Sequence, residues 1–322
     1  MDLSRNNKLL DTMLADIESA PPIYQPSNFW SIFIRSLTDE IKEHGISSFR
    51  SQKHALGLYV PTYPDTETGK MEALCDYKVF LAGDDDKFPW LDCVSESRIG
   101  SPVQQFLFDD KYYSRSMLNY LRGLAFLKKH VDTSGLKNVL EIGGGFGTLG
   151  EIFLKSDFNR FFYVNIDIPP LSYISTRYLE EVFGKDNIAG YEITRDLKLI
   201  NIDEFAQRYK AIVLCPWQLP YVAGEFDLFV NFFSFQEMEP DIVENYASHI
   251  NRLVKKNILL RNQKDGKQVA KQPGDIGVLN PVSRKDYIRF FNRFKVIAID
   301  SKVFGNRKDG FESEVMILQN RV

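Results

Sequence analysis

The chain has 322 residues, enough for one large domain with an appendage. It is 44% hydrophobic and 26% charged, and its net charge of −3 argues against a general nucleic-acid binder. Its three scattered cysteines, Cys75, Cys93 and Cys215, exclude a disulfide framework or a zinc pattern, and no apolar run approaches a membrane span. The first residues are polar and lack the apolar stretch of a signal peptide, so a cytoplasmic protein, away from membranes, is expected.

Leu9, Leu10, Met13, Leu14 and Ile17 recur at helical spacing, and Pro21-Pro22 ends that helix. A second helix is expected from Asn28, as N-cap, to Gly45 as its C-terminal signal. Residues 46–105 resist assignment; they carry the turn Asp65-Thr66-Glu67-Thr68-Gly69 and the acidic run Asp84-Asp85-Asp86. Ser114 should cap a strong helix with Leu118, Leu121, Leu124 and Leu127 on one side. The pattern divides the chain into a mainly helical region, 1–130, and an α/β domain, 131–322.

The α/β part opens on Val139-Leu140-Glu141-Ile142-Gly143-Gly144-Gly145-Phe146-Gly147-Thr148-Leu149-Gly150, a strand, a glycine-rich turn and a helix. Glycine lets such a turn take positive φ and approach a ligand, and the helix start offers unpaired N–H groups. Two readings fit. Gly145-x-Gly147-x-x-Gly150, with Asp167 about 20 residues on, satisfies a dinucleotide fingerprint. Glu141-x-Gly143-x-Gly145-x-Gly147 equally fits the pattern that binds S-adenosyl-L-methionine, with the acid near the methionine end.

Strand two is read at Phe161–Ile166, then a helix at Leu171–Phe183. Strand three is Ala211–Leu214, with Ile188–Ile193 as the alternative; strand four is Phe226–Phe232 and strand five Asn257–Leu260, each followed or preceded by helices at 241–253 and 283–294. The end of the chain separates the two readings. Phe294–Asp300 and Glu314–Leu318 read as strands around the turn 305–310, with no room for a helix, so they must pair antiparallel. A dinucleotide fold would close through a helical crossover. The expected fold is therefore a doubly wound, mostly parallel seven-stranded sheet finished by a C-terminal antiparallel hairpin, the class I methyltransferase architecture.

Glu141-Ile142-Gly143-Gly144-Gly145-Phe146-Gly147, the proline after the strand-two aspartate, and Asn231-Phe232-Phe233-Ser234-Phe235-Gln236-Glu237-Met238 resemble the sugar O-methyltransferase family. The resemblance runs from about residue 100 to 320, and Ser-Phe-Gln-Glu-Met is its more specific part. It implies S-adenosyl-L-methionine as donor and a sugar hydroxyl as acceptor.

A sugar hydroxyl is a poor nucleophile, so a base should take its proton as the methyl arrives in line. Gly143, Gly145 and Gly147 are expected to give backbone approach, Glu141 to lie at the methionine end, and Asp167 to accept the ribose hydroxyls. Trp217 and Gln218 are candidates for the adenine edge; if Ile188–Ile193 were strand three, Asp196 would take that place. Ser234, Gln236 and Glu237 follow strand four, and Arg261 and Asn262 follow strand five, where open α/β sheets bind ligands. Glu237 is the leading base and His54 the second, while Tyr112 is a candidate cover over the site. No metal site is expected, and Asp84-Asp85-Asp86 reads as a solvated loop. The basic residues around strand five, Arg252 to Lys271, read as solvated surface or as attraction for an anionic or nucleotide-linked sugar. A homo-oligomer is compatible with the sequence. Alternatives are a methyltransferase for another small acceptor, or a non-catalytic binding and assembly protein of the same fold. Base methylation is disfavoured, because Asn231-Phe232-Phe233 lacks the prolines of that motif.

Overall fold

The computed structural model describes residues 3–53, 63–302 and 313–321. Its centre is one sheet. The first strand is Asn138–Ile142, the second Phe162–Ile166, the third Ala211–Leu214, the fourth Phe226–Phe232, the fifth Val254–Gln263, the sixth Phe294–Asp300 and the seventh Ser313–Asn320. Their order across the sheet is sixth, seventh, fifth, fourth, first, second, third. The first five pair in parallel; the seventh pairs antiparallel with both the fifth and the sixth. This is the class I methyltransferase fold, and the reversed seventh strand that defines it is the C-terminal hairpin expected from the sequence. Its turn, 305–310, lies outside the described residues.

Both candidates for the third strand belong to the sheet. Ala211–Leu214 lies beside the second strand, and Ile188–Ala189 adds a two-residue eighth strand at the edge. The fifth strand is longer than expected, because the helix Pro240–Leu253 runs directly into Val254. The helix Arg284–Phe290 is shorter, ending in Phe291 with a non-helical ψ.

Alternate residues of each central strand feed two apolar layers. Val139, Tyr163, Val213, Leu228 and Val230 pack on the side that holds Leu118, Leu121 and Leu124 of the helix Arg115–His130. Leu140, Val164, Ile212, Phe229 and Ile258 pack on the other, with Val243, Tyr246 and Ile250 of Pro240–Leu253. Ser114 caps the Arg115 helix, its hydroxyl accepting from Met117 N.

The N-terminal part departs from the sequence reading in one instructive place. The expected helix from Asn28 to Gly45 is two, Asn28–Ser31 and Ile34–His44. Ser27, not Asn28, is the N-cap, and neither side chain caps the helix. Asn28 instead donates to the carbonyls of Asp275 and Gly277 and accepts from Gly274 N, so long-range bonds take what a cap would use. In the unassigned stretch, Glu67–Gly83 is a helix capped by Thr66; just after that stretch, Phe106–Phe108 pairs with Lys111–Tyr113 as a small hairpin. No helix among the described residues is long and apolar enough to cross a membrane.

Candidate active site

The carboxyl ends of the first, second, fourth and fifth strands open on one edge, where the glycine-rich turn sits. Gly143 N continues the ladder, donating to Ile166 O at 2.8 Å. Gly143 then takes φ +73°, where an added Cβ would lie 2.0 Å from Ser234 Oγ, so only glycine fits. Gly145 has φ +58° and nothing within 4 Å of the position a Cβ would take. The turn therefore faces packed protein at Gly143 and open space at Gly145. Gly147, with φ +99°, is the N-cap of the helix Thr148–Ser156.

Two side chains at the carboxyl end of the second strand, one in it and one just past it, hold the turn. Asn165 accepts from Gly144 N at 3.2 Å and donates to Ser175 Oγ at 2.9 Å. Asp167 accepts from Gly145 N and from Ile168 N, both at 2.8 Å. Burial pushes Asp167 up to about 8 against those two N–H donors, and the nearby Glu141 and Glu237 carboxylates push the same way. A carboxyl in that state favours any ligand that brings hydroxyl donors or positive charge. Each oxygen keeps a lone pair for such a donor.

Glu141 is fully buried, and its oxygens take the hydroxyls of Tyr120, at 2.7 Å, and Tyr163. A Cβ on Gly144 would meet Glu141 Oε2 at 2.4 Å, so the carboxyl lies under the turn as its floor. Burial raises it to about 7, opposed by the two tyrosines.

The candidates for the adenine edge separate. Gln218 is buried and spent: its oxygen accepts from Cys215 N, and its amide donates to Thr194 O and Oγ1. The expected pairing of Gln218 with a ligand is corrected on that ground. Trp217 is half-buried, edge-on to Tyr191 at 6.0 Å. Asp196 is exposed.

Past the fourth strand, Ser234 and Gln236 also serve the scaffold. Asn231 Nδ2 donates to Ile142 O and to Ser234 Oγ, and Ser234 donates to Ile142 O. Gln236 N donates to Asn262 Oδ1, Gln236 Oε1 accepts from Gln263 N, and Asn262 Nδ2 donates to Asn231 Oδ1. This network ties the fourth strand to the first and fifth through Ser234 Oγ, Gln236 Oε1 and the amide of Asn262. Arg261 is buried, donates to Asn119 Oδ1 at 2.5 Å and lies 5.1 Å over the Phe233 ring. Tyr112, on the small hairpin, carries the Arg98 guanidinium 4.6 Å over its ring. His54 lies outside the described residues.

Glu237 is the ionisable group that the fourth strand delivers to the mouth. It ends the short helix Phe235–Glu237, and Glu239, not Glu237, is the N-cap of the next helix. Its carboxylate accepts from Trp30 Nε1 at 3.0 Å and Lys267 Nζ at 2.5 Å. Lys267 thus leaves the basic surface group; Lys255 and Lys256 pair with Glu225 and Asp227 there.

Trp30 belongs to an N-terminal segment that bonds to several elements of the α/β domain. Asp16 accepts from Tyr191 and Arg195 near the third strand. Tyr24 bonds His249, Asn28 bonds the loop after the fifth strand, and buried Arg50 lies 5.1 Å over Phe146 of the glycine turn. Residue types alone do not reveal Trp30 or Lys267. Asn165 and Asn231 carry a usable signal, each being a polar residue next to the carboxyl end of a largely apolar strand, Phe162–Ile166 and Phe226–Phe232. Among the described residues, no group of three or more His, Cys, Asp or Glu side chains is arranged to hold a metal.

No protein-family model matches the chain, and no curated protein matches its sequence. Solved structures similar to it include methyltransferases. A mitomycin 7-O-methyltransferase aligns at 13% identity and a TM-score of 0.39, over 64% of this chain and 57% of that one. The magnesium protoporphyrin IX methyltransferase of Synechocystis, with bound SAH, aligns at 12% and 0.40, over 64% of this chain and 84% of that one. A SAM-dependent methyltransferase from Aquifex aeolicus aligns at 13% and 0.40, over 64% and 93%. The fold assignment rests on the strand order, not on these likenesses.

Proposed function

We propose that this chain is an S-adenosyl-L-methionine-dependent O-methyltransferase whose acceptor is a hydroxyl of a sugar or glycosylated small molecule. The observation that carries the donor is the pairing of Gly145 N with Asp167 at the open side of the turn. It leaves a buried acid beside backbone with room for a ligand, in the fold that uses this edge for that purpose. Gly143, Gly145 and Gly147 shape the seat, Asp167 accepts the ribose hydroxyls, Glu141 supports the turn from below, and Trp217 flanks the adenine side. Residues 1–130 serve as the cover and 131–322 as the cofactor domain.

When bound, the cofactor supplies an electrophilic methyl group on a sulfonium. The protein's part is to orient the acceptor oxygen in line, to exclude water and to receive the hydroxyl proton. Glu237 is the residue we assign to the proton, since its carboxylate stands at the end of the fourth strand within the field of Asp167. Arg261 and Tyr112 flank the acceptor side. The sugar acceptor itself rests on the resemblance of Asn231 to Met238 to the sugar O-methyltransferase family.

A second reading has one observation in its favour. Glu237 is already held by Trp30 and Lys267, as in a purely structural ion pair, which suits a binding protein of the same fold. Calorimetry with S-adenosyl-L-methionine, S-adenosylhomocysteine and NAD tests the donor: the first two should bind and NAD should not. A mass-spectrometric screen of activated sugars with labelled cofactor tests the acceptor. Cofactor binding with no label transferred to any sugar favours the second reading.

A further inference from the structure

The surroundings of Glu237 carry more than its assignment as a base. Its two oxygens are each taken by a different part of the chain. Oε2 accepts from Trp30 of the short helix Asn28–Ser31, and Oε1 accepts from Lys267 of the loop after the fifth strand. Ser27 Oγ donates to the carbonyl of the same residue at 2.7 Å, fixing its backbone. Lys267 is itself placed, with its ammonium 3.9 Å from the centre of the Phe29 ring. The side chains of Glu237 and Lys267 are 15% and 10% exposed.

Both partners of the carboxyl are donors only. An indole N–H and an ammonium have no lone pair to accept a hydrogen bond. Both bonds are strongest to a charged oxygen, so the arrangement favours the ionised form. A base that is buried beside a cofactor needs this. Without a cation, a carboxyl there takes up a proton and loses the ability to accept one from a substrate. The two oxygens are also held from two directions, which fixes the plane of the group, while each retains a second lone pair.

We propose that Lys267 and Trp30 are positioning residues of the acceptor side, Lys267 keeping Glu237 ionised and Trp30 aiming it. The proposal rests on the reading of Glu237 as base, and its experiment is independent of any acceptor. Burial raises Glu237, while Lys267 and Trp30 oppose that rise; Asp167, at the end of the second strand, is a titratable group coupled to it. Removal of Lys267 should therefore move the titration of Glu237 upward.

Trp30, bonded to the carboxylate, reports that titration directly. The chain has three tryptophans, so full-length protein labelled with ¹⁵N-tryptophan gives three indole signals. Trp30→Phe assigns one, and those of Trp90 and Trp217 report that each variant is folded. In a pH series, Lys267→Met should raise the midpoint of the Trp30 signal by about 1–3 pH units. Lys267→Arg should restore most of the shift, and Glu237→Gln should abolish the titration. Lys267→Gln, held to the same criterion, replaces the Met variant if that does not fold. An unchanged midpoint on loss of the cation, or a Trp30 titration that survives Glu237→Gln, overturns the proposal. If the shift occurs but Glu237→Gln still methylates a sugar acceptor at the wild-type rate, the positioning contacts stand and the base assignment falls.

Discussion

Gly143→Ala is a direct probe of how the glycine turn is seated. The added methyl would lie 2.0 Å from Ser234 Oγ and 2.3 Å from Ser234 Cβ, at a backbone φ of +73°. The left-handed conformation costs alanine about 1–2 kcal/mol. Overpacking against a serine that is itself bonded to Asn231 and Ile142 adds about 1–3 kcal/mol. The sum is about 2–5 kcal/mol. A chain of this length has an unfolding entropy near 0.7 kcal/mol/K, from about 2.1 cal/mol/K per residue, so the melting temperature should fall by about 3–7 °C. Ser234→Gly removes the obstructing atoms at a cost of about 1–2 kcal/mol for the lost bonds and added chain freedom. The double variant should then be more stable than the sum of the single changes predicts, by about 1–3 kcal/mol. Circular dichroism melts of the four proteins measure this coupling. A Gly143→Ala protein melting with the wild type, or strictly additive effects, would refute the contact between the turn and the fourth strand.

Three further outcomes are expected. Asp167→Ala should weaken S-adenosyl-L-methionine binding by about 10- to 150-fold, from the loss of a charge-assisted acceptor at about 1.5–3 kcal/mol; an unchanged calorimetric affinity in a folded variant removes Asp167 from the site. Glu237→Gln should lower turnover of a sugar acceptor by about 10²- to 10⁴-fold with cofactor affinity nearly unchanged, which single-turnover rates will show. Glu141, raised by burial to about 7 from 4.5, keeps its proton in the folded chain where the unfolded chain has released it. Its contribution to stability is thus complete below about pH 4.5 and lost as pH rises toward 7. Melting temperature should fall over that window, and Glu141→Gln should lessen the slope; an identical slope in the variant rules out Glu141 as a source.

The sheet was legible because each central strand is an apolar run buried on both faces, such as Ala211–Leu214, and because no helix fits between the last two strands. Boundaries set by tertiary contact were not. Asn28 looks like a cap by type, yet its amide is drawn to Gly274 and Gly277, far along the chain. The helix Glu67–Gly83 escaped notice because Met71, Leu74 and Leu81 are exposed beside buried Ala73, Tyr77 and Phe80, which blurs its periodicity. At the site, residue type located the carboxyl groups but not their state. Whether Glu141 meets a ligand or two tyrosines, and whether the Gln218 amide is available or consumed by Thr194, depends on partners that spacing does not encode.

The N-terminal segment has a consequence for how the molecule is made. Its bonds to the α/β domain join residues 175, 207, 225 and 249 positions apart. Each of these residues therefore waits for a partner that is synthesised 175 or more positions later. Ordering so much intervening chain before those bonds form is slow. A refolding experiment should accordingly show the α/β sheet gaining structure in an earlier phase than the environment of Trp30.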